Sequence, residues 1–94
     1  LAPELRLDAA EEMYRLATAI EPAHALAWYN LADVFEERGA LRSAADALAR
    51  ALEADPQFAD AHFNRASCLM RLGRSAEARP HWQAYLKLDA ASVW

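Results

Sequence analysis

The chain has 94 residues, is 55% hydrophobic with 24 alanines, and carries only two glycines and four prolines. That length makes one small domain; the apolar content excludes intrinsic disorder, and the alanine content argues against strands and for an all-α fold. Ten scattered basic residues against fourteen acidic ones, net −4, make nucleic acid an unexpected partner, and no apolar stretch approaches the roughly 20 residues that span a bilayer, so no membrane partner is expected.

The first predicted element is a helix over about 8–20, with Asp8 and Glu11 at capping-box spacing and Pro22 closing it. A second helix covers 24–38. Trp28, Leu31, Ala32 and Phe35 fall at the i, i+3, i+4, i+7 spacing of an amphipathic helix, and Gly39 stands where a left-handed C-cap is wanted. The third, 41–54, carries Ala44, Ala47, Leu48, Ala51 and Leu52 on one face, and Pro56 stops it. A fourth helix, 58–72, runs to Gly73. The fifth, 75–88, contains Pro80. If it starts at Ser75, Pro80 lies too deep and kinks it; if it starts near Glu77, Pro80 falls in the first turn, where its missing N–H costs nothing. The later start, or a kink after one distorted turn, is the preferred reading.

These elements repeat at a spacing of 34 residues. Ala10, Ala44 and Ala78 are one series; Tyr14, Leu48 and Trp82 a second; Ala17, Ala51 and Tyr85 a third; Glu21-Pro22, Asp55-Pro56 and Asp89-Ala90 a fourth. Asn30 matches Asn64, Ala32 matches Ala66, Phe35 matches Leu69 and Gly39 matches Gly73. Alanine at paired positions lets antiparallel helices approach closely, and the larger Trp28, Tyr14, Leu48 and Trp82 fill the space beside them.

With Trp28-Tyr29-Asn30-Leu31-Ala32, Phe35, Gly39, Ala44, Leu48, Ala51 and Pro56, the sequence resembles the tetratricopeptide repeat family. The second copy departs from the pattern at His62, Arg65 and Ala90. The resemblance implies a single domain over 1–94, made of a half repeat at 8–22 and repeats at 25–58 and 59–92. It implies antiparallel helix pairs stacked as a short right-handed α-solenoid with a concave face. Carried over by position, the peptide-binding groove is Leu26, Tyr29, Asn30, Asp33 and Glu37, then Asp60, Phe63, Asn64, Ser67 and Arg71. Tyr29 and Phe63 stand out as a set, since aromatics on an exposed wall are frequent hot spots.

Some members of this family clamp a C-terminal carboxylate with Lys, Asn and Arg. This chain keeps Asn30 and Asn64, but Tyr29 stands where a clamp lysine would be, and Asp33 and Asp60 add negative charge. A carboxylate is disfavoured, and a neutral or basic protein segment is the expected partner. Arg65 departs from the apolar pattern; its stem is expected on the core with its head at the edge, Asp33 or Asp60 being the candidate partners.

No catalytic or metal-binding pattern is present, so neither an enzyme nor a cofactor is expected. His24, His62 and His81 lack i, i+4 or Cys-His spacing; His62 reads as a replacement for a core aromatic, and His24 and His81 as edge or surface residues. Cys68, the only cysteine, reads as a packing group, and its isolation fits a reducing, cytoplasmic compartment. The chain opens on Leu1 without an initiator methionine or a signal-peptide pattern, and reads as a piece of a longer protein. Its closing segment and its Ala and Arg richness resemble bacterial arrays of the family.

Two functional classes follow: a groove-binding interaction module, and a structural or oligomerisation spacer acting through its open ends. For the second, Leu5, Leu7, Met13, Leu16 and Trp94 are candidates for uncovered apolar faces and a weak two-fold homodimer. The alternative is a monomer in which residues 1–7 fold back over the first helix.

Overall fold

A computed structural model describes residues 2–92. Among them are five helices and no strand: α1 (Pro3–Ile20), α2 (Ala25–Glu37), α3 (Leu41–Ala54), α4 (Ala59–Arg71) and α5 (Ser75–Ser92). The connections, 21–24, 38–40, 55–58 and 72–74, are so short that consecutive helices fold back antiparallel. Each helix packs on its neighbours in the chain, α1 on α2, α2 on α3, α3 on α4 and α4 on α5. The result is a stack, 40 × 29 × 21 Å.

The alanines of the 34-residue pattern set how closely these helices approach. Ala32, Ala44, Ala51, Ala61, Ala66 and Ala78 have no exposed surface, and Leu48 and Leu69 are as fully enclosed. Tyr14, Trp28, Tyr29, Phe58 and Trp82 pack around this core from its margins. Trp28 is held there by its indole N–H, which donates to the Pro22 carbonyl at 2.8 Å. Arg50 lies over the Trp28 ring, 6.0 Å from its centroid, and Arg15 over Phe35 at 5.5 Å.

The turns repeat as the helices do. Gly39 and Gly73 have φ of 75° and 76°, a left-handed conformation that a side chain disfavours. Gly39 N–H donates to Glu36 and Ala40 N–H to Phe35; Gly73 N–H donates to Met70 and Arg74 N–H to Leu69. Both sets satisfy the last carbonyls of their helix in the same Schellman arrangement. His24, expected at an edge, caps α2: its Nδ1 accepts from Ala27 N–H at 3.1 Å.

Both end helices are longer than expected. α1 begins at Pro3, because proline suits the first helical position and nothing in residues 4–7 opposes continuation. Residues 3–7 are therefore helix, not a strap folded over it. Asp8 and Glu11 do not cap; both bind Arg38, Glu11 at 3.2 Å, and Glu11 also holds Arg15 at 2.8 Å. α5 begins at Ser75 and runs unbroken through Pro80, against the preferred later start. The hydrogen bond that Pro80 cannot make is the one to Ala76, an exposed residue of the first turn, so little is lost. At its other end α5 passes Leu88, because Ala90 replaces the proline that stops α1 and α3. Leu7 is half-buried towards α2, not on an open face; Trp94 lies outside the described residues.

Candidate functional site

The residues selected by the repeat pattern lie on α2 and α4, the first helix of each pair. The two helices are joined there directly: Asn64 Nδ2 donates to the Tyr29 hydroxyl at 3.1 Å. Tyr29 is half-buried, its ring tilted against Phe58 with centroids 4.8 Å apart. Burial raises its pKa; the Asn64 hydrogen bond opposes this, and the carboxylates of Asp60, Asp33 and Glu36 add to it. Tyr29 thus stands in the combined field of three acids from both helices.

Asn30, Asn64 and Ser67 are half-buried, while Asp33, Glu37, Asp60 and Arg71 are exposed. Leu26 is 53% and Phe63 43% exposed. Phe63 does not pair with Tyr29. It belongs to an aromatic group completed by α5, edge-on to Trp82 and to Tyr85, each at 5.1 Å between centroids. The expected pair of exposed aromatics is therefore one buttressing tyrosine and one accessible phenylalanine.

Asp33 and Glu37 face α1. With Arg6, Leu7 and Tyr14 they line a cleft of about 320 Å³ between α1 and α2, which extends the acidic surface towards the start of the chain. Two further wall residues were not selected from the sequence. Met70 is 50% exposed, and Glu36, half-buried, occupies the equivalent position 34 residues earlier. Both fall within the stretches of α2 and α4 that the register covers, at a position it did not select. Burial pushes the Glu36 carboxyl above its ordinary range; a hydrogen bond with Cys68 and the charge of Arg71 oppose this, and Asp33 reinforces it. Cys68 is buried, and burial first, then Glu36, pushes its thiol up to about 11. A thiol so protonated is a packing group, not a nucleophile.

Arg65 does not reach Asp33 or Asp60. Its Nη1 donates to the Ala45 carbonyl and its Nε to His81 Nε2, the latter at 3.1 Å. This keeps the charge away from the acidic wall and satisfied at the α3–α4–α5 junction. His81 Nδ1 meets His62 Nδ1 at 3.0 Å, and His62 Nε2 lies 2.8 Å from the Pro56 carbonyl. The two histidines, unrelated by spacing, are brought together by the packing of α5 on α4. Among the described residues no cluster of three or more His, Cys, Asp or Glu is placed to hold a metal ion. Nor, among them, is any helix long and apolar enough to cross a membrane.

A family model described as tetratricopeptide repeat matches residues 5–57 and again residues 41–93. No curated protein matches the sequence. Among solved structures the fold is similar to that of MamA. One MamA crystal structure has a TM-score of 0.87 at 22% identity, covering 94% of this chain and 52% of that one. MamA of strain AMB-1 gives 0.85 at 23%, covering 92% and 47%, and MamA of Desulfovibrio magneticus RS-1 gives 0.83 at 21%, covering 92% and 49%. The chain spans about half the length of these structures. At such identities the likeness is one of fold, a short right-handed solenoid of antiparallel helix pairs.

Proposed function

The chain belongs to the tetratricopeptide repeat family, a fold of protein-interaction scaffolds, and from this premise we propose that it is a non-catalytic module whose α2–α4 wall binds a neutral or basic segment of a partner protein. One observation carries the reading: α2 and α4 carry Asp33, Glu36, Glu37 and Asp60 together with Leu26, Phe63 and Met70, which expose apolar surface. Carboxylates next to accessible apolar side chains complement a segment that mixes Lys or Arg with apolar anchors. The same charges repel phosphates and carboxylates, so nucleic acid and acidic tails are poor ligands. No cofactor is needed for such binding. The compartment in this reading is the cytoplasm, and the whole is part of a larger bacterial protein.

The test is calorimetric titration with two synthetic peptides sharing the same apolar residues, one with lysines and one with glutamates at the remaining positions. The lysine peptide binds and the glutamate peptide does not; the double substitution Asp33→Lys with Asp60→Lys lowers affinity for the lysine peptide at least tenfold, or about 1.4 kcal/mol. Equal binding of both peptides would overturn the charge argument. A second reading, an oligomerisation element acting through the ends of the stack, is favoured by Leu5, Met13, Leu16 and Ile20, large apolar residues exposed on α1.

A further inference from the structure

Two pairs of rings at successive positions close the crossing of α4 on α5. His62 and His81 meet with centroids 5.3 Å apart and Nδ1 atoms at 3.0 Å. The next residue along each helix, Phe63 and Trp82, meets its partner edge-on at 5.1 Å, and Tyr85 closes on Phe63 at the same distance. Neighbours on a helix point about 100° apart, so the histidines hold one edge of the contact and the aromatics the other. The aromatic edge includes Phe63, an exposed apolar residue of the wall. The histidine edge meets Arg65, which also reaches the Ala45 carbonyl of α3.

The first repeat uses no ionisable side chain at these positions. Trp28, Leu31 and Ala47 stand where His62, Arg65 and His81 stand 34 residues on, and the three border one cleft. One bond is common to both copies: the Trp28 indole N–H donates to the Pro22 carbonyl at 2.8 Å, and His62 Nε2 lies 2.8 Å from the equivalent carbonyl of Pro56. The second repeat thus places a group that titrates near neutrality beside the brace of Phe63.

The surroundings of His81 fix the sense of its response. From α4 it faces His62 and Arg65. α3 contributes an uncharged acceptor, the Ala45 carbonyl, and its Asp46 acts on Arg74. On α5, Glu77 acts on Arg65, but Arg74 binds its carboxylate at 2.6 and 2.8 Å. The Cys68 thiol of α4 lies in the field of Arg65. No carboxylate among the described residues forms an ion pair with His62, Arg65 or His81. A proton on His81 Nε2 therefore removes the acceptor of Arg65 and sets two cations together with nothing to compensate them.

We propose that His81 is a proton switch for the wall: proton uptake loosens the histidine edge of the α4–α5 crossing, releases Phe63 from Trp82 and Tyr85, and so weakens partner binding. The contacts concerned all lie between Ala45 and Tyr85, and the effect on binding rests on the wall reading above. Burial, Arg65 and His62 all disfavour the proton in the closed crossing. The switch therefore acts below the ordinary histidine value of about 6.5.

Two measurements on the 94-residue chain between about pH 7.5 and 5.0 test this. The first needs no ligand: nuclear Overhauser contacts from the Phe63 ring to those of Trp82 and Tyr85 weaken as His81 titrates. They persist in His81→Gln, whose amide oxygen accepts from Arg65 at any pH. The second is calorimetric titration with the lysine-bearing peptide. Its dissociation constant rises about twofold or more beyond the rise seen with His81→Gln, which retains the titration of Glu36 and the other wall acids. Contacts that do not weaken, or that weaken as much in His81→Gln, would overturn the switch. Equal rises in the two dissociation constants would overturn its control of binding. A peptide that binds at neither pH would refute the wall reading, while the coupling of His81 to Phe63 would stand on the ring contacts.

Discussion

His62, Arg65 and His81 form a chain of hydrogen bonds in which one permanently charged member sets the protons of the others. Arg65 can only donate, so His81 Nε2 accepts and its proton sits on Nδ1. That proton is given to His62 Nδ1, which leaves the His62 proton on Nε2, facing the Pro56 carbonyl. The tautomers follow from the network. Protonating His81 breaks the Arg65 bond and sets two like charges side by side. Burial, then Arg65, then His62 lower its pKa accordingly. The folded value lies below the unfolded one, about 6.5, so the unfolded chain takes up the proton first. This contribution is complete above the unfolded pKa and is lost as pH falls through 6.5 towards the folded value. Thermal melts should therefore show Tm falling between about pH 7.5 and 5.5. His81→Gln should flatten that dependence. Glu36, whose pKa is raised, acts in the opposite sense and is unchanged in that variant. A wild-type Tm that does not fall, or a His81→Gln profile as steep as wild type, would refute the assignment. None of this was legible in the sequence, because residues 19 apart meet only through the crossing of α4 and α5.

At the scale of the element, the three inner helices were legible almost to the residue. Their starts and stops are written in local chemistry: Gly39 and Gly73 at positive φ, and Pro56 after α3. The terminal helices were misjudged for two different reasons, a capping spacing that does not cap at the start of α1 and a repeat position whose residue differs at the end of α5. Asp8 and Glu11 have capping spacing, but Pro3 starts the helix five residues earlier, and the two acids serve instead as a clasp on Arg38. Ala90 stands at a proline position and lets α5 continue to Ser92. Restoring the stop with Ala90→Pro should shorten α5 to about Leu88, since proline disfavours helix in the residue before it. Backbone carbon chemical shifts report this directly, with residues 89–92 losing their helical values. Helical shifts persisting through residue 92 would show that packing, not the missing proline, extends the helix.

For the whole molecule, the arrangement of helices followed from periodicity, and the wall was legible in outline. The ten residues carried over by the repeat register lie on α2 and α4; their exposure and contacts needed the structure. Tyr29 holds α2 to α4 through Asn64 and stacks on Phe58, so its removal weakens the fold as well as any ligand contact. Phe63 is accessible but braced by Trp82 and Tyr85 from α5. Met70 and Glu36 were passed over because an exposed methionine and a half-buried acid have no signature in a single sequence. The account's central claim is that this wall, and no other face, receives the partner segment. Amide chemical-shift mapping of the labelled chain during titration with the lysine-bearing amphipathic peptide tests it most directly. The account predicts that the largest shifts fall on Leu26, Asp33, Glu37, Phe63 and Met70. Shifts confined to the outer faces of α1, α3 and α5 would contradict it.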